Sequence, residues 1–268
     1  MKNTAPEPAA PHQNIARFIV IGAAVAQIGA AALPALGVGT TVGARSDRVQ
    51  TLITPAGWAF SIWGALYIGS IVFACYQAFP SQRENRLMAR LRWPAAGAFL
   101  GNAGWATYVQ LGAIDYVSML IIGFSLLCIL TCYRRIAARA PDFSSGEGWA
   151  AVLPLSALAS WLTVAAIVNV AAALRFHGID ANASAAGPVS ALVITVGGII
   201  AGTALARSKG NLAYAAVFLW ALAAIFFAGG QQSEAVAFAS AAAAMMVVIG
   251  VMLGKRQVHA ASPRPGSL

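Results

Sequence analysis

The chain alternates long apolar stretches with short connections that hold most of its polar and charged residues. A helix crosses the hydrocarbon of a bilayer with about 20 mostly apolar residues. Eight stretches meet or approach that length: Ile15–Leu36, Gly57–Phe79, Trp93–Gly112, Asp115–Tyr133, Trp149–Leu174, Pro188–Leu205, Leu212–Ala228 and Ala235–Leu253. The pattern predicts an all-α, polytopic membrane helical bundle of about eight transmembrane helices. The apolar run of the first stretch is about 19 residues, longer than the ~7–15 of a signal-peptide core, so it is read as a helix of the mature protein. Ser144 with Glu147 three residues on predicts a capping box before the fifth span. The tails 1–14 and 255–268, rich in Pro, Ala and Ser, are expected to be disordered.

Composition agrees with the pattern. Hydrophobic residues make up 59% of the chain and charged residues 9%, with a mean hydropathy of +0.74. A soluble domain carries about a quarter charged residues, and this chain has too little polar surface to cover a water-soluble globule. Eight spans place both termini on one side. That side receives fourteen of the seventeen Lys and Arg residues; the other holds Arg45, Arg48 and Arg175. Basic residues accumulate in cytoplasmic loops, so both termini are expected in the cytoplasm and the protein in a bacterial inner membrane. The net charge of +9 does not indicate nucleic acid, because the basic residues sit in short connections and form no continuous stripe. Cys75, Cys128 and Cys132 lie within spans. Cys128 and Cys132 share a helix face, but no histidine or third thiolate accompanies them, and metal sites use three or four ligands. They read as small hydrophobes.

Six of the seven tryptophans lie at or before Trp161. This shift divides the chain into a five-helix unit, 15–176, and three additional helices, 187–254. Gly97 and Gly101, followed by Gly104, and Gly198 with Gly202 are small-residue pairs that let helices approach closely in lipid. They serve either packing within one bundle or, in the third span, a homodimer seam.

No Lys, Asp or Glu lies in the middle of a span. Intramembrane ionisable groups mark proton relays and ion pathways, so an ion-coupled pump is disfavoured, and a retinal-type Schiff base has no lysine. His12, His177 and His259 all fall in tails or loops, which leaves no histidine ligand for haem iron inside the bundle. What remains is aromatic and amide: Phe60, Trp63 and Tyr67 on one face of the second span, Asn102 and Trp105 on the third, Trp161 and Asn169 on the fifth. At about 1.5 Å per residue, Trp105 and Trp161 each lie about 18 Å from the inner face. Trp63, on a helix running the other way, lies about 21 Å from it. Trp58, Trp93 and Trp149 fit the interfacial aromatic belt; the other three lie too deep for it. They either pack between helices or line a pocket. Asn102 and Asn169 need partners in hydrocarbon, and find them either across helices or on a ligand in an otherwise apolar site.

At these residues the chain resembles the TspO/MBR family, the tryptophan-rich sensory proteins that include the mitochondrial translocator protein. That family's second helix begins with a PPxWxFxxxW…LY-like motif, matched by Pro55, Trp58, Phe60, Trp63 and Tyr67. Its third carries NxxW, matched by Asn102 and Trp105. Its fifth carries a W…AT.LN-like run, matched by Trp161, Thr163 and Asn169. The three motifs occur in the family's order over residues 15–176. The paired proline is single here, the tryptophan upstream of it is missing from Gln50–Ile53, and no Tyr-Arg sterol-type motif follows Asn169. The resemblance implies binding of porphyrins or other flat apolar molecules, as sensor or translocator, with no required cofactor and no committed catalytic activity. The pocket is expected among helices 1, 2, 3 and 5, with the loop Gly37–Ile53 as lid and the bilayer and the ligand as partners. Two rival readings are a transporter that uses all eight helices and a tryptophan-dependent enzyme that degrades porphyrin under light.

Overall fold

A computed structural model describes residues 11–261. Among these residues eight long helices run back and forth: α1 (Pro11–Ala32), α2 (Ile62–Ala78), α3 (Arg86–Leu111), α4 (Tyr116–Arg139), α5 (Leu153–Phe176), α6 (Ala183–Arg207), α7 (Leu212–Phe226) and α8 (Glu234–Ala261). Seven of them are long and apolar enough to cross a membrane. The exception, α3, has 26 residues and hence the length, but Arg86, Arg90 and Arg92 fall in its first two turns. Arg86 and Arg90 are exposed at that end, while Arg92 is buried and donates to Gln77 Oε1 at 3.0 Å and to the Gln82 carbonyl at 2.8 Å; beyond them the helix packs between α1 and α4.

Local chemistry sets the helix ends. Asp115 caps α4 by accepting from the backbone N–H groups of Val117 and Ser118, and the Ser118 hydroxyl side completes a capping box. The box foreseen at Ser144 and Glu147 is present. Asn85, Asn182 and Asn211 cap α3, α6 and α7 through their side-chain oxygens. Pro154 has no N–H to give to the carbonyl of Ala150, and the chain opens a π turn, Gly148–Val152, just before it. Two boundaries differ from the sequence reading. The second span opens as a 3-10 turn, Gly57–Ser61, before α2 proper. Helical structure also enters both expected tails: α1 starts at Pro11 and α8 continues to Ala261. The remainder of those tails lies outside the described residues.

Helices α1–α5 close a ring in which α1 packs on α2 and α3, α3 on α4, α4 on α5, and α5 on α2. The last three helices attach chiefly through α7 on α5, while α8 packs on α7 and α6. Glycine controls the tightest seams. A Cβ on Gly97 would meet Cys128 Sγ at 2.8 Å, and one on Gly101 would meet Ser125 Cβ at 2.9 Å, so this pair is used within the chain, against α4. A Cβ on Gly198 would stand 2.7 Å from Ala243 Cβ, and one on Gly202 2.8 Å from the Met246 carbonyl oxygen, which brings α6 and α8 into backbone contact. Of the three cysteines, Cys132 is buried and its thiol faces the Leu91 carbonyl at 3.7 Å, while Cys75 is exposed on the bundle surface.

Candidate functional site

The seam between α2 and α5 sets the level of the site. A Cβ on Gly69 would reach Pro154 Cβ at 2.9 Å, so the two helices touch there. From that contact Trp63 lies six residues away on α2 and Trp161 seven residues away on α5. At about 1.5 Å per residue, both side chains arrive about 10 Å above the contact, because the helices are antiparallel. They meet: the ring centroids of Trp63 and Trp161 are 6.0 Å apart and nearly perpendicular. Trp105 comes from α3 to within 6.3 Å of Trp63. The three tryptophans that the depth estimate put at one level therefore form one cluster with Trp63 at its centre. Phe60 sits in the 3-10 turn, where positions three apart stay aligned, and meets Trp161 edge-on at 6.4 Å. Tyr67 stacks on Trp63 at 5.4 Å.

A small, nearly apolar cavity lies against this cluster. Phe60, Trp63, Trp105, Trp161 and Asn169 line it, together with Val42 and Ser46 of the loop after α1. Its free interior is about 40 Å³, room for a few water-sized molecules. The remaining wall is Pro55, Ile114 and the α5 residues Val164, Ala165, Val168 and Ala172. Together with Trp161 and Asn169, these α5 residues follow the three- and four-residue spacing of a single helix face, a signal present in the sequence. Helix α1, expected as a wall, lines none of it. Tyr67 and Asn102 also stand outside the lining.

The amides are partly engaged elsewhere. Asn102 is fully buried and donates from Nδ2 to Gln27 Oε1 of α1 at 3.2 Å; its Oδ1 and the Gln27 Nε2 have no partner among the described residues. The Tyr67 hydroxyl points toward the Asn102 amide. Asn169 Oδ1 accepts from the Ser118 hydroxyl at 3.1 Å, which ties α5 to the cap of α4. Gln27 and Ser118 were not among the sequence candidates; an uncharged glutamine deep in an apolar stretch was the available signal. Two further groups remain unpaired. The indole N–H groups of Trp105 and Trp161 are buried, with the side chains 5% and 2% exposed, and neither has an acceptor among the described residues. A buried donor without a partner costs about 1–3 kcal/mol, and the two tryptophans that carry these donors line one cavity.

The loop after α1 roofs the site and is pinned at both ends. Thr41 caps its short helix Val42–Ser46. Thr40 N–H and an Arg45 guanidinium N–H both donate to the Gln110 carbonyl, at 2.9 and 3.2 Å. Gly39, at φ +78°, presses so close that a Cβ would stand 2.6 Å from the same oxygen. On the other side, Ala56 N–H donates to the Ala224 carbonyl at 3.1 Å, and Trp220 Nε1 donates to the Ala59 carbonyl at 3.2 Å. Trp58, assigned from sequence to the interface, stands half-exposed with its ring edge-on to Trp220 at 4.8 Å. Helix α7 thus holds the start of the second span in place. Beside the roof, burial alone would raise the Asp115 carboxyl. Donation from the Ser118 backbone, the Tyr108 hydroxyl (2.7 Å) and the Val117 backbone, with His177 nearby, outweighs burial and holds it below its ordinary value.

The model of TSPO-like proteins matches residues 14–253, so the match runs through the five-helix ring and on through the three C-terminal helices. Neither the curated proteins nor the solved structures compared with the chain gave a match. With a match over that length, and the tryptophan cluster, NxxW turn and apolar helices in place, the chain is a multi-pass membrane protein that belongs to the TSPO-like protein family.

Proposed function

We propose that the protein binds flat, apolar small molecules, porphyrin-like tetrapyrroles foremost, in the tryptophan-lined cavity, and acts as their membrane sensor or translocator. The observation that carries this reading is the pair Trp105 and Trp161, which line an otherwise apolar cavity and whose buried indole N–H groups have no acceptor among the described residues. An apolar pocket with a few convergent polar groups is the usual form of a small-molecule site. Trp63 offers a ring face for stacking, Phe60 an edge, and the two N–H groups donate to acceptor atoms on the ligand. Asn102, with its open acceptor beside Tyr67, lies one step behind. Pockets for drug-sized ligands measure about 300–1,000 Å³, so a tetrapyrrole enters only as the cavity dilates. The charge asymmetry of the loops supports a cytoplasmic-membrane location with both termini in the cytoplasm.

The test is a titration of the purified full chain, in lipid nanodiscs, with protoporphyrin, read at the porphyrin absorbance band. Saturable binding weakened by Trp63→Phe combined with Asn102→Ala supports the site. Binding of the same affinity in that double variant would refute it.

A further inference from the structure

Two more cavities follow the first in series. A second, wholly apolar one of about 30 Å³ lies between α5, α6 and α7, and shares Val164 and Val168 with the tryptophan-lined cavity. A third, of about 400 Å³, opens at the lid end and shares Ile53 and Val193 with the second. Its rim is polar: Gln50, Ser190, Gln232, and Arg175 paired with Asp180 at 3.7 Å. One layer of aliphatic side chains therefore separates each chamber from the next. The backbone leaves room for this series. Helix α6 is held by α8 and makes almost no close approach to α5. The direct way in, through the roof, is closed by the hydrogen bonds to Gln110, Ala224 and Ala59.

We infer that the crevice between α5 and α6 is the passage by which the apolar ligand reaches the tryptophan-lined cavity, with the three C-terminal helices forming its second wall. The inference rests on the binding site proposed above and gives those helices a role. A flat molecule with a polar edge sheds water at the polar rim, where that edge keeps its hydrogen bonds, and then crosses apolar chambers gated by Ile53 and Val193, then by Val164 and Val168. Gating by side-chain movement between packed helices sets rates of entry and exit; it leaves the bound state unchanged.

Gly197 is the place to plug the passage. It lines the second cavity, and a Cβ there would meet only Ile167 and Phe218, at ordinary contact distances of 3.7 and 3.9 Å. The experiment uses the full chain in nanodiscs with Cys75, Cys128 and Cys132 changed to alanine and Val168→Cys introduced. N-ethylmaleimide labelling of the new thiol, which needs no porphyrin, reports access. Gly197→Leu, or Val193→Phe should the first not fold, is expected to slow labelling at least about tenfold, and Gly197→Ala to leave it near the unplugged rate. In the same plugged proteins, protoporphyrin association and dissociation are both expected to slow by about tenfold or more, with Kd within about twofold. Labelling that neither plug slows, or porphyrin association that neither plug slows, overturns the passage. Slowed labelling with no porphyrin binding in the wild-type chain overturns the ligand assignment and leaves the passage standing.

Discussion

Replacing Trp105 and Trp161 together by phenylalanine separates binding from folding. A buried tryptophan normally loses a hydrogen bond on this change. Here neither N–H has an acceptor among the described residues, so no bond is lost in the unliganded protein. Each replacement relieves an unsatisfied buried donor, a gain of about 1–3 kcal/mol. It also removes three ring atoms from the packed cluster, a loss of about 2 kcal/mol at about 0.8 kcal/mol per methylene-sized unit. The two contributions are of similar size and opposite sign, and the unliganded variant is expected to stay within about 2 kcal/mol of wild type. Ligand binding has no such compensation. Two donors, each worth about 0.5–1.5 kcal/mol to an acceptor, sum to about 1–3 kcal/mol. At 1.4 kcal/mol per factor of ten, Kd rises by about 5- to 150-fold. Stability is measured by denaturant titration in mixed micelles, followed by circular dichroism, and affinity by porphyrin absorbance in nanodiscs. An unchanged Kd refutes the role of the N–H groups. A loss of more than about 4 kcal/mol in the unliganded protein refutes the premise that they lack partners.

Three other outcomes follow from the packing. Trp220→Phe removes the bond to the Ala59 carbonyl and the indole edge on Trp58; hydrogen exchange at Gly57–Ile62 should accelerate, with a loss of about 1–3 kcal/mol from the hydrogen bond and the ring contact together. Gly198→Leu forces a side chain into Ala243 and should destabilise by about 1–3 kcal/mol or more, whereas Gly22→Ala, with nothing within 4 Å of the added carbon, should leave the unfolding free energy within about 1 kcal/mol of wild type. Asp115 is held below its ordinary value, so its contribution to stability is present above the unfolded carboxylate pKa of about 3.9 and disappears as pH falls through the lower folded value; Asp115→Asn should flatten the acid limb of the stability profile.

The sequence by itself determined the class, the spans and the level of the tryptophan cluster. Apolar length is a one-dimensional property, and eight such stretches give eight long helices. The capping box at Ser144 and Glu147 was readable because a cap involves residues three apart. The common depth of Trp63, Trp105 and Trp161 was readable because rise per residue is fixed, whatever the neighbours. Which helix faces which was not readable, since hydropathy marks a span as apolar without naming its partner. Only the tertiary structure decided that Gly97 and Gly101 serve α4, that α1 supplies Gln27 to Asn102 but no wall of the cavity, and that Ser118 takes Asn169. It also decided that α7 pins the entrance to the second span, through residues more than 160 positions apart in the case of Ala59 and Trp220. Such contacts depend on the order of helices around the ring, and that order is fixed by the fit of small and large side chains across each seam.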